Sequence, residues 1–180
     1  PQKSKLSEDR IQLDNSWSLK TTGNYEGEEW IVGFGVSKDK GEKKICLKLD
    51  PKSLSNEAYK IRIMEDLIEI VAGSEIGFRY AFETCYQLSA DGAIPIGEIE
   101  DQPTLAIRGF HLNLDSYRQL TFEDAKYLIE NAGRMKINTL LVEYSNRFPF
   151  EKYRQINSPA AFHKDEIIEL VKIAKNNFIN

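Results

Sequence analysis

From Leu105 onward the apolar positions of the chain fall into the order strand, helix, strand, helix. Leu105-Ala-Ile-Arg-Gly-Phe-His-Leu112 reads as a first strand that runs into a polar loop. Phe122, Ala125, Leu128/Ile129, Ala132 and Met135 then mark one face of a helix from Phe122 to about Lys136, with Thr121 as N-cap and Asp124 completing a capping box. Ile137 to Tyr144 (INTLLVEY) is a nearly continuous apolar run, the pattern of a parallel strand covered on both faces. Past a loop over 145–162, Ile167, Val171, Ala174 and Phe178 recur at spacings of four, three and four and predict a second helix. Phe178-Ile179 is placed to open a third strand.

The first hundred residues carry a different rhythm. Ile45-Cys-Leu-Lys-Leu49 is a strand candidate, and Trp30 to Val36 is another, bent at Gly33 and Gly35. Tyr59, Ile61 and Ile63 alternate with polar residues, Glu65-Asp66 supplies a two-residue turn, and Ile68, Ile70 and Ala72 continue the alternation as the second arm of a hairpin. Ser74 caps the next helix, whose apolar face runs through Phe78, Ala81/Phe82, Cys85 and Leu88. These elements predict a small α+β domain over residues 1–100, a mostly antiparallel sheet with a helix on one face. The stretch from Asp91 to Pro103, with Gly92, Pro95, Gly97 and Pro103, reads as the connection between domains. Residues 101–180 then read as the first two β/α units of an incomplete (β/α)8 barrel. Such a barrel takes about 250 residues and the tail offers roughly 75, so either more chain follows or these segments dock on the domain before them.

Composition narrows the function classes. The 180 residues carry 41% hydrophobic and 29% charged positions, ordinary for a globular protein, and no apolar run approaches the length of a membrane span. A net charge of −4 without a dense Lys/Arg stripe argues against a nucleic-acid binder, and Lys38 to Lys44 reads as a solvated turn. Cys46 and Cys85 match no zinc or redox spacing and read as buried free thiols. His111 and His163 lack a helical i, i+4 partner, so no metal cofactor is expected. Gly33-Phe34-Gly35 lacks the Lys-Ser/Thr and the capped helix of a phosphate loop.

Several stretches resemble glycoside hydrolase family 20, the β-N-acetylhexosaminidases. Glu57-Ala-Tyr-Lys-Ile-Arg-Ile63 is similar to that family's E-x-Y-x-L-x-I strand, and Ile68-Glu-Ile-Val-Ala72 to its I-x-I-x-A strand. Gly77 to Leu88 is similar to its G-x-x-Y-x-x-x-T-x-x-Q-L helix, through Tyr80, Thr84 and Gln87. Ile94-Pro95, Asp101-x-Pro103 and Arg108-Gly109 resemble the linker into the first barrel strand. Lys136-Ile-Asn138 and Phe148-Pro149-Phe150 resemble the K-x-N and F-P-Y that flank the second, and Leu141 to Tyr144 with Arg147-Phe-Pro149 is nearer the hexosaminidase D-like branch.

The resemblance implies a small α+β domain followed by a (β/α)8 barrel, with a glycan or N-acetylhexosaminide bound at the C-terminal ends of the barrel strands and no cofactor. It also implies retaining hydrolysis in which the substrate's own 2-acetamido oxygen attacks the anomeric carbon. An Asp-Glu pair after the fourth strand would then orient that group and protonate the leaving oxygen. That pair has no counterpart here, so no catalytic residue is assigned and the chain alone is expected to be inactive.

Leu114-Asp115-Ser116-Tyr117-Arg118 is similar to the family's L-D-x-x-R, whose arginine binds sugar hydroxyls through its planar fork. A gapless register from Arg108-Gly109 puts Asn113 and Ser116 at those two places instead. Arg118, Asp115 and Glu143, the last near the end of the second strand, are the candidate substrate-binding residues. The plain alternatives are a solvated arginine, a turn aspartate and a structural ion pair. His111 reads as a hydrogen-bonded core histidine and Tyr144 as packing, while Trp17 and Trp30 default to core or surface anchors. A second class stays open, a non-catalytic module whose small sheet binds a glycan or a protein. Read instead as the N-terminal fragment of a hydrolase resembling the β-N-acetylhexosaminidases, the chain is expected to present an unpaired apolar edge and to self-associate through the incomplete barrel.

Overall fold

Tyr59, Ile61 and Ile63 alternate with Lys60 and Arg62, and this two-residue period builds β4, described below, with its apolar side chains buried and its charged ones exposed. The computed structural model describes residues 1–22, 36, 40–114 and 120–180. They divide into two units, Pro1–Thr104 and Leu105–Asn180.

In the first unit β1 is Lys3–Gln12, β2 Trp17–Thr22, β3 Lys43–Leu49, β4 Tyr59–Ile63, β5 Leu67–Ala72 and β6 Ala93–Asp101, with helix α1 at Glu75–Leu88. The strands form one sheet in the order β1-β6-β4-β5-β3-β2. The expected hairpin is present: β4 and β5 pair antiparallel from Tyr59↔Ala72 to Ile63↔Ile68, and the Met64 N–H closes the Glu65-Asp66 turn on the Leu67 carbonyl at 2.9 Å. Three of the pairings are antiparallel, while β3 runs parallel to both β2 and β5. Lys60 and Arg62, on the exposed face of β4, pair across the strands with Glu100 and Glu98 at 2.9 Å each.

Helix α1 begins where Ser74 accepts from the Ile76 N–H. Its predicted stripe through Phe78, Ala81, Phe82 and Cys85 is buried, and Tyr80, Glu83 and Thr84 are buried as well, so the helix is enclosed on more than one side. Five motif residues turn out to be tied together in two groups inside this unit. The Tyr59 hydroxyl donates to Asp101 Oδ2 at 2.8 Å and lies 2.5 Å from the Thr84 hydroxyl, and the Tyr80 hydroxyl donates to Glu57 at 3.2 Å. Burial pushes the Tyr59 phenol far above its ordinary pKa. The pattern of those residues is therefore that of a satisfied polar core.

Two expectations for this unit need correction. The stretch from Asp91 to Pro103 is mostly strand β6, in the interior of the sheet between β1 and β4. Pro95 is tolerated because β4 pairs only with Gly97–Asp101, which leaves β1 as the sole partner of β6 at the proline. Gly97 adopts φ +148 where the β1 register shifts, and a Cβ there would come within 2.1 Å of the Lys5 carbonyl oxygen. The second correction concerns Lys44, expected in a solvated turn, whose ammonium bonds the Ser18 hydroxyl at 2.9 Å. The Trp30–Val36 strand, Trp30 and Lys38 lie outside the described residues, apart from Val36. Cys85 is buried, Cys46 half-buried, and both are free thiols.

In the second unit β7 is Gly109–Asn113, α2 Phe122–Arg134, β8 Thr139–Glu143 and α3 Lys164–Asn176. The capping box forms as expected, with Thr121 and Asp124 bonding each other's backbone N–H. The bonds from Thr121 hold the Asp124 carboxyl below the usual carboxylate range. A depressed folded-state pKa stabilises above the unfolded value and ceases to as pH falls through the folded one. Amide exchange at Phe122–Asp124 is therefore expected to accelerate relative to the middle of α2 as pH drops below that range, and Asp124→Asn should flatten the difference.

The first barrel-like strand is shorter than expected. Leu105 and Ile107 are 66% and 73% exposed and precede β7, because Arg108 turns its guanidinium back onto the Leu105 and Lys136 carbonyls. The buried stripe of α3 runs through Leu170 with Ile167, Ile173 and Ala174 beside it, whereas Val171 is exposed. The expected periodicity is right and its face is rotated by about one residue. Nor is β8 covered on both faces, since Leu141 is 64% exposed.

Candidate functional site

Parallel pairing of β7 with β8, from Gly109↔Thr139 to Asn113↔Glu143, sorts their side chains onto two faces. Phe110, Leu112 and Leu114 with Leu140, Val142 and Tyr144 belong to the core under α2 and α3. His111, Asn113, Leu141 and Glu143 are exposed on the opposite face. Gly109 is required for the close approach of the strands, since a Cβ there would lie 2.7 Å from the Thr139 carbonyl oxygen.

The N-terminal ends of the strands are fixed by residues of the recognised motifs. The Arg108 N–H donates to Asn138 Oδ1 at 2.9 Å, and Asn138 Nδ2 donates to the Ala106 carbonyl at 2.8 Å. Each helix then returns to the sheet through the same device. Lys136 follows α2 at φ +60 with the Ile137 N–H on the Ala132 carbonyl, and Phe178 follows α3 at φ +56 with the Ile179 N–H on the Ala174 carbonyl. Next, the Asn138 N–H donates to the Arg108 carbonyl, and the Asn180 N–H to the Asn138 carbonyl. The Leu140 N–H donates in turn to the Asn180 carbonyl at 2.8 Å, completing a parallel bridge on the free edge of β8. Asn180 thus sits where the expectation put the opening of a third strand.

On that exposed face His111 Nε2, at the middle of β7, lies 3.1 Å from Glu143 Oε2, at the C-terminal end of β8, both side chains about half exposed at 48% and 52%. His111 was expected in the core and is instead on the exposed face. Period-two alternation already separates Gly109, His111 and Asn113 from Phe110, Leu112 and Leu114, and was the signal that identifies it. Tyr144 packs as expected, edge-on to Phe148 and Phe162 with centroids at 5.7 and 6.3 Å, and burial raises its phenol pKa. Asp115 and Arg118 lie outside the described residues.

The burial of one motif residue at this end was not foreseen from the sequence. Arg147 is only 7% exposed, with Nε donating to the Ala160 carbonyl at 2.9 Å, Nη2 to Leu120 at 2.7 Å, and the Phe162 ring 4.7 Å from Cζ. Nothing in its exposed-looking neighbourhood, Ser145-Asn146-Arg147, signals that burial. Among the described residues no group of His, Cys, Asp and Glu is arranged to hold a metal, and no helix is long and apolar enough to cross a membrane.

The family description "Glycosyl hydrolase family 20, domain 2" matches residues 9–102, the sheet and helix of the first unit. A Pinctada maxima protein named for β-hexosaminidase is 33% identical over 90 residues, 49% of this chain and 7% of that protein. The whole chain superposes on a family 20 exo-β-N-acetylglucosaminidase of Vibrio harveyi, solved in complex with N-acetylglucosamine, with TM-score 0.81 at 20% identity and 34% of that chain covered. It superposes equally on the family 20 β-N-acetylhexosaminidase of Streptomyces coelicolor A3(2), TM-score 0.84 at 16% identity, with 44% of that chain covered. The present chain thus spans less than half the length of these solved relatives. With just over half of its residues matched by the family's second domain, the chain belongs to glycoside hydrolase family 20.

Proposed function

We propose that this chain is the N-terminal part of a β-N-acetylhexosaminidase-like hydrolase, with residues 1–100 as its small α+β domain and 101–180 as the first two β/α units of a (β/α)8 barrel. The observation that carries the barrel reading is the repeated step from Arg108 to Asn138 to Asn180, in which each new strand enters parallel to the last through the same helix exit.

On this reading the whole enzyme removes terminal N-acetylhexosamine from glycans with retention of configuration. The substrate's acetamido oxygen attacks the anomeric carbon, an Asp of a later strand orients that group, and the Glu beside it protonates the departing oxygen. Arg118, Asp115 and Glu143 bind the sugar at the strand ends. The 180-residue chain supplies part of the sugar site and none of the acid chemistry.

The test is to extend the protein through the whole barrel and assay it on β-linked hexosaminides. Turnover is expected in the extended protein and none above background in the 180-residue chain. A well-folded extended protein that cleaves no β-linked hexosaminide or related hexoside would sink the reading. So would hydrolysis by the short chain that Glu143→Gln abolishes, because that would place an acid on these two strands.

A further inference from the structure

His111, at the middle of β7, and Glu143, at the C-terminal end of β8, meet at 3.1 Å on the exposed face of the strand pair. Only one nitrogen and one oxygen of the two groups are used in that contact. Among the described residues, His111 Nδ1 and Glu143 Oε1 have no hydrogen-bond partner. We infer that His111 is a substrate-contacting residue, held in one tautomer by Glu143, and that the pair recognises two hydroxyl groups of one sugar ring. The inference rests on the barrel reading, which makes this face the inside of the barrel.

The chemistry follows from the geometry of the contact. A carboxylate oxygen 3.1 Å from Nε2 favours a proton on that nitrogen, and in the neutral imidazole Nδ1 is then the bare nitrogen, which accepts rather than donates. Glu143 Oε1 is a second acceptor on the same side of the strands. Two acceptors side by side suit two hydroxyl donors, and they disfavour a ligand whose ring lacks them, because the site's acceptors would then lose water without gaining a partner. Glu143 thereby has a double part, as a ligand through Oε1 and as a positioning residue through Oε2. His111 is also stiffly mounted, since its backbone lies within a paired strand whose opposite face is packed under α2 and α3.

The experiment is ¹⁵N-histidine NMR on the intact protein, barrel included, titrated with a methyl β-N-acetylhexosaminide. The His111 signals are identified by their loss in His111→Phe. Before sugar is added, His111 should show the Nε2–H tautomer, and Glu143→Leu should mix the two tautomers. Saturating sugar should shift Nδ1 of His111, whereas ring-deoxy analogues should not.

In kinetics both variants are expected to raise KM about tenfold with kcat within about twofold, and to lose most of the preference for the hydroxylated over the deoxy substrate. Sugar that is bound or cleaved while the His111 signals stay fixed overturns the inference and leaves the hydrolase reading intact. Absence of any sugar binding by the folded protein overturns both. Equal losses on hydroxylated and deoxy substrates would reduce the pair to a structural contact and overturn the inference alone.

Discussion

Trp17→Ala is expected to destabilise the first unit by about 3–5 kcal/mol, as large a loss as a single core truncation gives. The indole is fully enclosed at 0% exposure, and its Nε1–H donates to the Gln12 carbonyl at 2.8 Å. Alanine would remove the largest fully buried side chain among the described residues of the unit and leave that carbonyl without its donor. The surroundings cannot close the gap cheaply. Gly41 already approaches so closely that a Cβ on it would lie 2.3 Å from the Trp17 carbonyl carbon, and the Lys43 ammonium sits 5.3 Å from the ring centroid. Against a total stability of about 5–15 kcal/mol for a domain, such a loss should unfold a substantial fraction of the chains at moderate temperature. Urea denaturation followed by far-ultraviolet circular dichroism measures it. Trp17→Phe, which keeps most of the volume and loses the N–H bond, should cost less than half as much. A loss under about 1 kcal/mol for alanine would mean that β2 is held by its pairing with β3 and that the indole is a passenger.

The hairpin, both strongly periodic helices and their caps were legible in the sequence because each rests on neighbours a few residues apart. Glu65-Asp66 closes the turn, Ser74 and Thr121 cap helices, and Phe78 to Cys85 mark a stripe. Strand β6 was not legible, because Gly92, Pro95 and Gly97 read locally as punctuation. Only the pairing partners show why they are tolerated there: β4 is absent at Pro95, and β1 changes register beside Gly97. The rotation of the α3 face has a similar cause. Ile167, Ile168, Leu170, Val171 and Ile173 offer two overlapping stripes, and contact with Ile129 and Phe162 in the shared core selects the one through Leu170.

The place of Glu143 at the end of an apolar strand was legible, and its contact with His111 was not. The expectation ran the strand from Leu105 to Leu112 and assigned the His111 face to the core. In β7, Gly109–Asn113, the Phe110 and Leu112 face is the packed one, and the imidazole stands on the other beside the carboxylate. The resemblance marked residues that periodicity passes over, such as Arg108 and Asn138. Their observed bonds, to Leu105, Ala106 and Lys136 backbone and to each other, show that part of a family's recognisable pattern serves to start strands in register.

Arg147→Ala is expected to destabilise the second unit by about 2–4 kcal/mol, through two effects that add and one that opposes. The guanidinium joins two connections in one grip, donating to Leu120 before α2 and to Ala160 before α3. Each is a charge-assisted bond to a carbonyl, of about 1.5–3 kcal/mol, and truncation leaves both carbonyls unpaired. The Phe162 ring, 4.7 Å from Cζ, would also lose its cover. Opposing this, the wild type keeps a buried cation whose Nη1 has no hydrogen-bond partner among the described residues, and relieving that desolvation returns some of the loss. Arg147→Met separates the contributions, since it preserves packing and removes charge and bonds together. If the bonds dominate, Met should still cost about 1–2 kcal/mol, and amide exchange should rise at Phe162, whose N–H bonds the Arg147 carbonyl at 3.0 Å, and at Ala125, whose N–H bonds Thr121. A methionine variant more stable than the wild type would show that desolvation wins. Arg147 would then be retained at a cost to stability, as expected of a residue that holds the strand-end loops in place for a ligand.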